Sequence, residues 1–109
     1  MSTTTAWIWL LVAGLVEIAW AAGIKYTQGW TRLGPSVTVV TLYLLDLFLL
    51  SIPMARLPVG TAYSVWVGIG SLGATVAGIV LFGEHASPGR LACIALILAG
   101  VVGLKLQTR

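Results

Sequence analysis

Four apolar runs, at about 6–24, 35–54, 60–82 and 89–106, leave this chain few ways to fold. Each is close to the ~20 residues that a helix needs to cross ~30 Å of hydrocarbon. An open sheet in lipid would leave its edge amides unpaired, and four spans are too few to close a barrel. The runs therefore predict an all-α membrane protein with four transmembrane helices in a single domain, 1–109. Charge agrees: 8% of the residues are charged and 59% hydrophobic, whereas a soluble domain carries about 25% charged residues. Six basic and three acidic side chains cannot coat a sphere of this volume, so lipid must solvate most of the surface.

The breaks between the runs have turn chemistry. Lys25-Tyr-Thr-Gln-Gly-Trp-Thr-Arg-Leu-Gly-Pro35 is a polar turn whose Pro35 suits the opening of the second helix. Pro53 and Pro58 bracket a turn around Arg56, and Gly83-Glu-His-Ala-Ser-Pro88 separates the third helix from the fourth. Trp7, Trp9, Tyr26 and Trp30 fall near predicted ends, as an aromatic belt requires. The amino-terminal segment lacks the basic flank of a secretory signal, so the first run is expected to stay as a helix.

Connections this short thread the helices up and down, with both termini on one face. The basic residues then divide evenly: Arg56, Lys105 and Arg109 on the terminal side, Lys25, Arg32 and Arg90 on the other. That balance removes the bias that normally fixes orientation. Two oppositely inserted copies can pair about an axis in the membrane plane, recreating the inverted repeats of larger transporters. An antiparallel, dual-topology homodimer is the expected assembly.

Glu17 is the residue that asks for a function. It lies near the centre of the first span, in Ala13-Gly-Leu-Val-Glu17-Ile-Ala-Trp20-Ala21. An ionisable group at that depth costs roughly 2.5–3.5 kcal/mol on insertion scales and faces a bundle interior or an aqueous cavity. Ala13, Gly14 and Ala21, one helical turn away, are small and leave room beside the carboxylate, while Trp20 offers an aromatic wall. A carboxylate there binds a proton or a cation; the bland alternative is a neutral Glu bonded to a neighbouring helix. Asp46 is a second mid-span acid, and three readings stay open for it: hydrogen-bond partner of Glu17, second ion-binding group, or unrelated polar contact. Two carboxyls close together in a low-dielectric site do not both ionise cheaply, so such a pair would share protons.

The third span carries Tyr63 and Trp66 at i, i+3, a face able to offer cation–π and phenolic contacts or simple packing. Gly68 and Gly70 permit close helix contact or a kink, Gly70, Ala74 and Gly78 make a small-residue face, and Gly100 and Gly103 suit a dimer contact. Cys93, inside the fourth run, reads as a packing residue. Glu84, His85 and the basic residues read as solvated anchors at helix ends. One His and one Cys make no metal site, and no cofactor-binding, nucleophile–base or nucleic-acid-reading pattern is present.

The central Glu17, the segment Leu57-Pro-Val-Gly60-Thr-Ala-Tyr63-Ser-Val-Trp66 and four spans in about 110 residues resemble the small multidrug resistance family over the whole chain. Glu17-Ile-Ala-Trp20-Ala, Lys25-Tyr, Arg32-Leu-Gly-Pro35-Ser and Trp66-Val-Gly68-Ile-Gly70 look most like its guanidinium-exporter branch; exporters of polyaromatic cations generally have a small residue at the Trp20 position. The resemblance implies a bacterial inner-membrane antiporter that exchanges external protons for cytoplasmic guanidinium. Glu17 would be the coupling acid, buttressed by Trp20 and the residue at position 46, with Tyr63 and Trp66 lining the site. Guanidinium suits a carboxylate, because its planar N–H pairs match the two oxygens. Two alternatives are export of hydrophobic quaternary ammonium cations by the same fold, and a non-transporting partner subunit of a heterodimer. The chain departs from the branch at Asp46, where Ser is typical, and at Val67, where Thr or Ser is usual.

Overall fold

The computed structural model describes residues 2–107; Arg109, counted above on the terminal side, lies outside them. Helix α1 spans Thr3–Gly23 and runs into a 3-10 turn, Ile24–Thr27; α2 spans Leu33–Met54, α3 Val59–Phe82 and α4 Pro88–Gln107. All four are long and apolar enough to cross a membrane. Each differs from its apolar run by at most three residues at either end.

Local chemistry sets those ends. The Ser2 hydroxyl accepts the Thr5 amide at 3.1 Å and caps α1, three residues before the apolar run begins. The first connection closes around Thr27, which is fully buried. Its hydroxyl donates to the Ile24 carbonyl at 2.7 Å and accepts the Trp30 amide at 3.2 Å. Its carbonyl takes the amides of Thr31 and Arg32. Those bonds hold Gln28, Gly29 and Trp30 in the left-handed region, at φ 50°, 72° and 68°, which costs energy for the two that are not glycine. Pro35 sits in the first turn of α2, where its missing N–H has no intrahelical partner to lose. Gly83, at φ 65°, ends α3, and the amides of Gly83 and Glu84 both donate to the Gly78 carbonyl.

Helix α1 is the centre of the packing. It lies along α2 and α3, whereas the backbone of α4 packs on α3 alone. The core between them contains Leu10, Ala13, Leu50, Ala62, Val65 and Trp66. Glycines bring α3 close to its neighbours: a Cβ on Gly68 would strike Val101 of α4, and one on Gly73 would strike Ile18 of α1. Helix α3 continues as one helix through Gly68 and Gly70.

Helix α4 has no buried residue. Nothing lies within 4 Å of where a Cβ on Gly100 or Gly103 would point. Cys93 is exposed as well, which corrects its reading as a buried packing residue: the backbone of α4 packs on α3, and Cys93 does not face it. The expected threading is supported at both ends. Near the termini, Lys105 lies 5.3 Å from the Trp7 ring centroid. At the other end, Lys25 meets Glu84.

Candidate functional site

Midway along the bundle, three helices meet on one oxygen atom. Asp46, fully buried on α2, accepts the indole N–H of Trp20 from α1 at 2.8 Å and that of Trp66 from α3 at 3.2 Å, both through Oδ2. Indole nitrogen only donates, so each tryptophan needs an acceptor at this depth. The Trp20 ring is also set edge-on against Tyr43, with centroids 5.1 Å apart and planes at 75°.

Glu17 lies beside this cluster. Its carboxylate rests against Gly70 of α3, where any Cβ would collide with it. Trp20 and Trp66, the donors to Asp46, stand one helical turn from Glu17 and Gly70, which brings the two carboxyls into the same region. Glu17 Oε2 and Asp46 Oδ1 are both buried without a donor among the described residues. The side-chain bonds that Asp46 accepts come from the two indoles. The Trp20 indole N–H is thus directed at Asp46.

Two other expected site residues take different places. Gly14 does not leave room for the carboxylate. It is buried against α3, where an added Cβ would stand 2.6 Å from Ile69 Cγ2, because the helix turns position 14 toward α3. Tyr63 contacts Trp66, with ring centroids 5.7 Å apart, but is 53% exposed and faces out of the single chain. Val67 is also on an exposed side of α3. The described residues contain no group of three His, Cys, Asp or Glu able to hold a metal.

The chemistry available at mid-depth is thus two carboxyl groups, each with one buried oxygen lacking a donor, walled by aromatic rings. Protons or a cation rich in N–H groups would satisfy those oxygens, and charged donors make the stronger bonds.

Comparison with known sequences agrees with this architecture. Residues 5–97 match the family described as Small Multidrug Resistance protein, and the chain belongs to that family of membrane transporters. Within it, the chain is 57% identical over 103 residues to a guanidinium exporter of Escherichia coli O6:H1. It is 56% identical to a guanidinium exporter of Escherichia coli strain K12 and 54% to one of Salmonella typhimurium. Each alignment covers 94% of this chain and 98% of the relative.

One cluster outside the membrane core escaped the sequence reading. Glu84 pairs with Lys25 at 3.4 Å and with Arg90 at 3.2 Å, and Arg90 also donates to the His85 carbonyl at 2.8 Å. Lys25 lies 4.7 Å from the Phe82 ring centroid. The Arg90 hydrogen bond, helped by Lys25, holds the Glu84 carboxyl below its usual range. These three residues are joined anchors, not independent ones. The available signal was that Glu84 is the one acid outside the spans, facing several cations.

Proposed function

We propose that this chain pairs with an antiparallel copy of itself and exports guanidinium, or small guanidinyl cations, from the cytoplasm in exchange for protons across the bacterial inner membrane. The observation that carries the reading is Glu17: a carboxyl in mid-span, pressed on Gly70, with one buried oxygen left unpartnered. Such a group alternates between a proton and a cation. A planar guanidinium can offer it two parallel N–H donors, which a hydrated point charge cannot. Gradient-driven exchange then follows if the site opens to one side at a time and Glu17 is never vacant during the switch.

In this reading Asp46, Trp20 and Trp66 form the wall behind Glu17, and Tyr63 completes it from the exposed side of α3. The substantial identity to exporters named for guanidinium supports the substrate class. Three features support the antiparallel pair: the even division of basic residues between the two faces, the lack of any buried residue on α4, and the open surface at Gly100 and Gly103. The whole chain acts as one four-helix domain.

Solid-supported-membrane electrophysiology on the purified chain tests this directly. Guanidinium should evoke proton-coupled currents, and Glu17→Gln, which keeps the shape but cannot alternate, should abolish them while the protein still assembles. Wild-type currents from Glu17→Gln would remove that residue from the mechanism. Currents with quaternary ammonium ions but none with guanidinium would assign the chain to multidrug export. Silence from the chain alone, with activity restored by a second subunit, would make it half of a heterodimer.

A further inference from the structure

Helices α1 and α4 both lie on α3, meeting each other through Lys105 and Trp7, and a groove of about 450 Å³ runs between them near the chain termini. Its mouth holds Thr4, Trp7 and Lys105; its floor is apolar, with Leu11, Ile69 and Val101. Among the described residues no carboxylate lines it. Lys105 is poised over the Trp7 ring and forms no ion pair among the described residues, in contrast to Lys25 and Arg90, which Glu84 neutralises. We propose that this groove binds one anionic phospholipid, with its phosphate at Lys105 and one acyl chain laid along the floor.

Three properties select that occupant over others. The mouth lies at the ends of α1 and α4, hence at headgroup level, and the charge it carries among the described residues is the positive one of Lys105. The stretch from Thr4 to Leu11 descends about 10 Å at 1.5 Å per residue, which follows a chain into its own leaflet. Beyond it a second furrow continues between α1 and α3, past Leu15 and Leu72, with Ile69 common to both. A soluble anion would leave the apolar floor unused, and a neutral lipid would leave Lys105 without a counter-charge. The volume is in the range of sites that hold small amphiphiles.

The test is native mass spectrometry of the purified protein after stepwise delipidation, with phosphatidylglycerol and phosphatidylcholine of identical chains offered in turn. Phosphatidylglycerol should be retained about fivefold better, the scale expected of one Lys beside an anionic headgroup. Lys105→Gln should erase that preference and Lys105→Arg should keep it. Leu11→Trp, which fills the floor, should weaken retention of both lipids. Equal retention of the two lipids by the wild type, or an undiminished preference in Lys105→Gln, would overturn the proposal. Displacement of phosphatidylglycerol by inorganic phosphate alone would also overturn it, by making the chain irrelevant. So would disulfide formation between copies carrying Ile8→Cys in a Cys93→Ser background, since a second protomer would then cover the groove.

Discussion

Replacing Asp46 by Leu removes the acceptor from two indole N–H groups at once, a perturbation whose size follows from the geometry. Trp66 is almost fully buried and Trp20 partly so, and both donate to the same Oδ2. A buried donor left without its partner costs ~1–3 kcal/mol, so the pair together costs ~2–6 kcal/mol. Even the lower bound changes an equilibrium about 30-fold. Asp46→Asn keeps an oxygen where the carboxylate was, so the indoles stay paired and only the charge assistance is lost, ~1 kcal/mol. Asp46→Ser, with a shorter side chain and one acceptor oxygen, should fall between them. The protein has five tryptophans. In ¹H–¹⁵N spectra, two indole resonances should move strongly in Asp46→Leu and little in Asp46→Asn, with the other three unmoved in both. Unfolding in detergent should rank the variants in the same order. If Asp46→Leu is as stable as Asp46→Asn and leaves all five resonances in place, Asp46 does not anchor the tryptophans.

Gly14→Ala places a methyl 2.6 Å from Ile69 Cγ2 and should destabilise the protein by ~1–3 kcal/mol in detergent unfolding, with most of the loss recovered by adding Ile69→Ala; a stable Gly14→Ala with Ile69 intact would contradict the packing. Glu84 has a depressed carboxyl, so its ion pairs contribute above its titration and vanish as pH falls through it. Hydrogen-exchange protection around residues 84–90, referenced to the intrinsic rate at each pH, should therefore fall on acidification in the wild type, while Glu84→Gln should be weakly protected already at neutral pH and change little with acid. The same acid response in both proteins would disprove the linkage. Gln107→Lys with Thr108→Lys should force one orientation and silence the chain, and a partner biased the other way should rescue it. Undiminished currents from the single fixed orientation would exclude the antiparallel pair.

The four spans were legible because lipid permits so few answers, and because Gly and Pro mark the breaks. The polar residues of the site stood out for the same reason: Glu17, Asp46, Trp20 and Trp66 are conspicuous inside apolar runs. Their bonding was not legible, since that depends on how each helix is turned about its axis. These helices are apolar on nearly every side, so periodicity gives little hint of rotation. Hence Gly14, one turn from Glu17, was assigned to the carboxylate although it faces Ile69. Tyr63 and Trp66 differ by three residues, about 300° of turn, or 60° apart around the axis. That offset is enough to leave one ring exposed and the other buried. Cys93 was misjudged because an apolar run gives no sign that its helix lacks a buried face. Glu84 and Lys25 are 59 positions apart, a pairing that only the folded chain reveals.

The attachment of α1, α2 and α3 to a single carboxylate oxygen also has a mechanical consequence. A pin through three rods at mid-height blocks their sliding past one another. Any switching motion that keeps both indole bonds must carry these helices as one body. Helix α4 is outside that pin. It is connected to the rest through the chain at residues 83–87 and through its seat on α3, where Val101 lies over Gly68. The described contact across that seat is apolar, Val101 against Gly68, so a sliding of α4 on α3 breaks neither indole bond to Asp46.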